Sequence, residues 1–161
     1  MSPGPKLDRL DFKILAHLQR SGRCSNVELA DEVGLSPSPC LARVKRLERH
    51  GYIVSYGAHL GLAKLGKFVV VFTEVTIKDH RRPDFQRFEQ ATAKIPEIME
   101  CYNVSGGYDY LMKVVVRSVA HYQEMMEGIL AMDIGVERYF TYIVLRVPYI
   151  KHAYPLKQLF G

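Results

Sequence analysis

Long apolar runs are missing from this chain of 161 residues. None approaches the roughly 18 residues that a membrane-spanning helix needs, so no membrane role is expected. The opening stretch, MSPGPKLDRLD, lacks the apolar core of a secretion signal. Cysteine is scarce. The three present (Cys24, Cys40 and Cys101) are odd in number and widely spaced. They suit neither a disulfide framework nor a zinc site, and they point to a reducing, cytoplasmic setting. The six histidines are scattered, with no H-x3-H pair, so no metal site and no cofactor are expected. Internal repeats and low-complexity segments are absent. So are a nucleophile–base pair and a phosphate loop, which argues against an enzyme.

What is present is a foldable chain. Hydrophobic residues make up 48%, enough for a packed core, and the length fits one domain or two small ones. The net charge is +5, and its placement matters more than its size. Residues 36 to 50 hold four cations (Arg43, Lys45, Arg46, Arg49) against one acid, Glu48. Such a stripe favours a polyanionic partner, although a solvated helix face reads the same way in isolation.

The stripe has neighbours. In LDRLDFKILAHLQRSG, Leu7, Leu10, Ile14, Leu15 and Leu18 form one helical face, with Asp8 as N-cap and Leu7 with Phe12 as a hydrophobic staple. SNVE at residues 25–28 is a capping box that opens a short helix ending at Gly34. A third helix starts at Ser36, its expected N-cap, with Pro37 at the first helical position and Pro39 still in the first turn. Cys40, Val44 and Leu47, flanked by Leu41, mark its inner face. Ser38, Ala42, Lys45, Arg46 and Arg49 mark its outer face, and Gly51 closes it. Two helices joined by a tight turn make a helix-turn-helix. YIVSYGAHL then reads as a strand, a turn at Gly57 and a second strand or linker, completing a winged helix.

From about Lys67 the texture changes. KFVVVFTEVTIK is a strand, and RRPDFQRFEQATAKIP a helix with Phe85, Phe88 and Ala91 inward. EIMECYNVSG and YDYLMKVVVRS form a hairpin about Gly106-Gly107. SVAHYQEMMEGILAMD is a helix with Tyr122, Met125, Met126 and Ile129 inward, and VERYFTYIVLRVPYI a last strand. The order β-α-β-β-α-β is that of a ferredoxin-like sandwich. The expected fold is therefore α+β, with a winged helix-turn-helix and linker over 1–60 and an αβ sandwich over 61–161. Residues 149–161 have no assigned conformation. The methionines, Met132 among them, and Tyr139, Phe140 and Tyr142 read as packing surface.

LDRLDFKIL, NVELADEVGLSPSPCLARVKRLERHGYI and VSGGYDYLMKV, in that order and spacing, resemble the leucine-responsive regulatory protein/AsnC (Lrp/AsnC) family over residues 7 to about 150. The resemblance implies a transcription regulator with an ACT-like sandwich that senses a small effector, usually an amino acid. It also implies a homo-oligomer: a dimer that commonly assembles into an octamer.

Double-stranded DNA is the partner that the residue chemistry also favours. A reading helix needs small or polar residues near its start and cations further along. The expected contacts are Ser36, Pro37, Ser38, Ala42, Arg43, Lys45, Arg46 and Arg49, with Ser25 and Asn26 as phosphate donors. Which of Ser38, Ala42, Arg43 and Lys45 touches a base stays open. For the effector, the resemblance carries over Ser105, Gly106, Tyr108, Asp109 and Tyr110, with Arg138 and Thr141 reaching in from a neighbouring subunit. Asp109 suits an α-ammonium group, and Tyr108 and Tyr110 suit the walls of a side-chain pocket. Gly107 departs from the family's usual acid or polar residue there, which alters the pocket's shape. Two other readings compete: an architectural protein that wraps DNA without a ligand, and a regulatory subunit of an amino-acid enzyme.

Overall fold

A computed structural model describes residues 6–160; residues 1–5, within the stretch read as lacking a secretion signal, and residue 161 lie outside the described residues. The chain divides into two compact units. One runs to His59 and takes in the segment from Tyr149 onward; the other is Leu60–Pro148.

The first unit holds α1 (Arg9–Leu18), α2 (Asn26–Val33) and α3 (Pro37–Arg49). Asp8 caps α1 and Ser25 caps α2, each through a complete capping box. Between α2 and α3 the chain must reverse within three residues, and Gly34 does so at φ 76°. There the Leu35 amide can still donate back to Ala30 O, at 2.8 Å. Ile14, Leu29, Ala30, Val33, Cys40 and Leu47 form the core of this unit.

Two expectations change here. Residues 52–60 form no strand ladder. The Tyr52 and Ile53 amides both turn back to Leu47 O, and Val54 is 89% exposed, so an isolated hairpin would have no apolar face to hold it. The tail, assigned by the sequence to the sandwich, groups instead with the helices. Its short α7 (Leu156–Phe160) packs on α1, and the Gln19 carboxamide bonds both the Tyr154 N–H and C=O at 2.8 Å.

The second unit opens with the single turn α4 (Leu62–Leu65) and continues β1 (Val69–Ile77), α5 (Arg82–Thr92), β2 (Ile98–Asn103), β3 (Tyr110–Val116), α6 (Val119–Ala131) and β4 (Val136–Ile143). The sheet is antiparallel, in the order β2-β3-β1-β4. Alternation in β1 and β3 sends Val71, Val75, Tyr110, Met112 and Val114 to one face, where Phe88 of α5 and Tyr122, Met126 and Ile129 of α6 cover them. Val71 pairs with Ile143 and Phe72 with Tyr142. Phe72, Phe140 and Tyr142 therefore share the other face, which no described helix of this unit covers.

Phe88 has no exposed surface. Phe88→Ala should destabilise the sandwich by about 3–5 kcal/mol, and Phe85→Ala, only partly buried, by less. Urea unfolding curves of the two variants check this, and equal losses would contradict the packing described.

Candidate nucleic-acid interface and effector turn

The third helix presents a narrower stripe than its sequence suggests. Ser38, Ala42, Lys45 and Arg49 follow each other at spacings of four, three and four, and all are exposed. Neither Lys45 nor Arg49 has an ion pair among the described residues.

Arg43 and Arg46 behave differently. Arg43 Nη1 reaches Asp8 Oδ2 at 2.7 Å and Asp11 Oδ1 at 2.8 Å, and Arg46 Nη2 bonds Asp11 Oδ2. The side chains are 26% and 37% exposed, and that of Asp11 is wholly buried. These two arginines, expected to contact DNA, are thus engaged by the acids of α1 and bind α3 to α1, while remaining partly exposed. The sequence carries a signal for this. Asp11 lies at the helical spacing of Leu7, Ile14 and Leu18, so an acid stands where the core face calls for an apolar residue.

The entry to α3 also differs. Ser36 takes the N-cap position but makes no side-chain cap bond. Its natural donor is the N–H of the third helical residue, and that residue is Pro39, which has none. With Pro37 also lacking an N–H and the Cys40 amide already bonded to Ser36 O, Ser38 offers the one unpaired amide of this turn. The Ser36 and Ser38 hydroxyls stay exposed and outside any described hydrogen bond. Asn26, expected as a phosphate donor, gives its amide to Pro37 O at 2.8 Å. It ties the start of α2 to the first turn of α3. Ser25 keeps both its cap role and its exposure. Tyr56 donates to Glu48 Oε1 at 2.9 Å, and burial with that carboxylate raises its phenol to about 12.

In the sandwich the turn 104–109 closes with the Val104 amide on Asp109 O and the Asp109 amide on Val75 O, both at 2.9 Å. Gly106 has φ 142°, a conformation that glycine alone adopts easily. A Cβ at Gly107 would meet nothing within 4 Å. A side chain there would enter open space, so the turn does not require the glycine. Ser105 and Gly106 are exposed and Tyr108 half-buried.

The Asp109 carboxylate accepts the Ile77 amide at 2.8 Å and faces His80 Nε2 at 3.0 Å, a contact the sequence did not reveal. Arg138 Nε donates to Thr76 Oγ1 at 3.2 Å, so it joins Asp109 at the same end of β1. Two expected pocket residues do not. Tyr110 is buried in the core and donates to Glu89 Oε1 at 2.7 Å, an environment that raises its phenol strongly. Strand parity sends it to the helix-covered face. Thr141 shares that face and hydrogen-bonds Tyr122 Oη at 2.9 Å, which in turn meets Thr73 Oγ1 at 2.8 Å.

Among the described residues no cluster of three or more His, Cys, Asp or Glu side chains could hold a metal ion, and no helix is long and apolar enough to cross a membrane.

The Asp11 amide and the Arg43 guanidinium hold the Asp8 carboxyl below its ordinary range. A depressed carboxyl stabilises the fold above its unfolded pKa, about 4, and that contribution fades as pH falls through the lower folded value. Between about pH 5 and about pH 2, thermal melts should show wild type losing more stability than Asp8→Asn. Equal losses would contradict the pairing.

Residues 7–54 match the family described as winged helix-turn-helix DNA-binding, and residues 70–153 match the Lrp/AsnC ligand binding domain. Transcriptional regulatory protein DoeX of Halomonas elongata is 45% identical over 141 residues, covering 88% of this chain and 89% of that protein. The leucine-responsive regulatory protein of Escherichia coli is 45% identical over 143 residues, covering 89% and 87%. The crystal structure of a Neisseria meningitidis transcriptional regulator in complex with L-Met superposes with a TM-score of 0.87 at 32% identity, covering 96% of this chain and 99% of that one.

Proposed function

This chain belongs to the Lrp/AsnC family of DNA-binding transcriptional regulators, and we propose that it binds specific DNA sites in the cytoplasm under the control of an amino-acid effector. The exposed stripe Ser38-Ala42-Lys45-Arg49 on α3 carries the reading. Small residues near the helix start allow close approach to base edges, and the two unpaired cations further along meet phosphate. A homodimer, built on the open sheet face with Phe72, Phe140 and Tyr142 and assembling further toward an octamer, presents two such helices to half-sites about 34 Å apart. The relatives are regulators rather than enzymes, which removes the enzyme-subunit reading.

For the effector we place the site at the turn 105–109 with Arg138. A zwitterion needs N–H or guanidinium donors for its carboxylate and an acid for its ammonium. The exposed backbone of Ser105 and Gly106 and the Arg138 side chain supply the first, and Tyr108 borders the side chain. Asp109 supplies the second, its ammonium partner replacing the exposed His80. That the N. meningitidis relative was crystallised with L-Met supports an amino acid as the class. Binding that favours one assembly over another then changes DNA affinity.

Lys45→Ala and Arg49→Ala should each weaken DNA binding and flatten its salt dependence by about 0.9 per lost phosphate contact. Fluorescence anisotropy across a salt series measures this, and unchanged slopes in both would sink the α3 assignment. A thermal-shift screen against the twenty amino acids should find stabilising ligands whose effect disappears in Asp109→Asn. A retained shift would remove Asp109 from the site, and no shift with any amino acid would favour the ligand-independent architectural reading.

A further inference from the structure

α3 carries four cations, but its exposed stripe holds two. We propose that Asp8 and Asp11 are specificity determinants of DNA binding: by holding Arg43 and Arg46 against α1 they withhold two guanidiniums from DNA phosphate. This rests on α3 being the helix that faces DNA.

The geometry is that of a sequestering clamp. Asp11 accepts one arginine on each oxygen, Arg43 on Oδ1 and Arg46 on Oδ2, and Asp8 takes the same Nη1 of Arg43. The two acids are locked to each other, since the Asp8 amide donates to Asp11 Oδ2 at 3.0 Å and the Asp11 amide to Asp8 Oδ1 at 2.9 Å. A fully buried carboxylate with no cation beside it is costly, so Asp11 does not release its partners in the folded state. A link between two helices needs no charge to be stable, and well-packed apolar residues do that task as well or better. What the ions add is a choice of which cations of α3 remain available.

Each phosphate contact raises affinity for every sequence alike. A regulator that must find a few sites among very many gains from fewer such contacts, because the ratio of specific to nonspecific binding decides occupancy. With Arg43 and Arg46 masked, Lys45 and Arg49 anchor the helix, and Ser38 and Ala42 contribute proportionally more of the total.

The full-length protein is tested by anisotropy on two duplexes, one selected from a random pool by the wild-type protein and one of mixed sequence. Asp8→Asn keeps an acceptor for the Asp11 amide and loosens Arg43. Asp11→Asn loosens both arginines. Both should tighten binding to the mixed-sequence duplex at low salt, steepen its salt dependence by about 0.9 for each newly made phosphate contact, and lower the specificity ratio, Asp11→Asn more than Asp8→Asn. Lost packing alone would weaken binding instead. Arg43→Ala, which leaves Arg46 beside the buried Asp11, should leave the wild-type slope unchanged.

Circular dichroism establishes that each variant is folded. If Asp11→Asn is not, the half-exposed Asp8 position decides. Folded Asp variants with the wild-type slope, or a folded Arg43→Ala variant whose slope flattens by about one contact, would overturn the proposal. Lys45→Ala separates the two layers of argument. If it flattens the slope while Asp8→Asn does nothing, masking alone fails. If it too has no effect, the assignment of α3 fails.

Discussion

A carboxylate with no exposed surface, bonded by two guanidiniums from another helix, is the contact on which the DNA-binding unit depends. Asp11 sits in the first turn of α1, on the side that packs inward with Ile14. Its two oxygens receive Arg43 and Arg46, which lie one turn apart on α3. The separation of those two anchors along the helix fixes how α3 is rotated about its own axis. Once that rotation is set, Ser38, Ala42, Lys45 and Arg49 can only face outward. The apolar residues Cys40 and Leu47 hold α3 close; the ion cluster decides which of its remaining side chains are presented.

The start of α3 is fixed by a second device. Two prolines remove backbone donors that a helix N-terminus normally leaves open, and the Asn26 amide holds the Pro37 carbonyl. On the proposed role of α3, few unpaired backbone donors would then remain to be desolvated as the helix end enters a groove. A rigid first turn and a fixed rotation together leave the exposed stripe little conformational freedom to lose in the proposed binding.

The sandwich follows a different logic. Its sheet is packed by α5 and α6 on one face and left open on the other, and the open face carries aromatic residues from β1 and β4. The turn before β3 is pinned to β1 at its Asp109 end, through the Asp109 amide on Val75 and the Asp109 carboxylate on Ile77. Such a turn offers exposed backbone in a fixed position. Arg138 at the start of β4 is brought to the same end by its bond to Thr76. At the proposed effector site a ligand would touch β3, β1 and β4 together, which suits the reading that it acts on how subunits assemble.

The sequence by itself determined the helices α1, α2, α3, α5 and α6 and the four strands of the sheet, because capping boxes, glycine turns and apolar periodicity are local signals; it implied a hairpin over 52–60 that does not form and neither of the short helices α4 and α7. It also determined the outward stripe in outline. It did not separate Arg46 from Lys45, since adjacent residues on a helix differ only by a rotation of about 100 degrees, and the partner that decides the matter lies 35 residues away in the chain. Tyr110 shows the same limit: its ring belongs equally to a pocket wall or a core until the strand register sends it beneath α5, against Phe88. The tail is assigned by the sequence to the sandwich yet groups with the helices, because a Gln carboxamide that bonds a backbone 135 residues distant leaves no local trace. Local chemistry set the elements; long-range pairing decided which of their side chains are free to act.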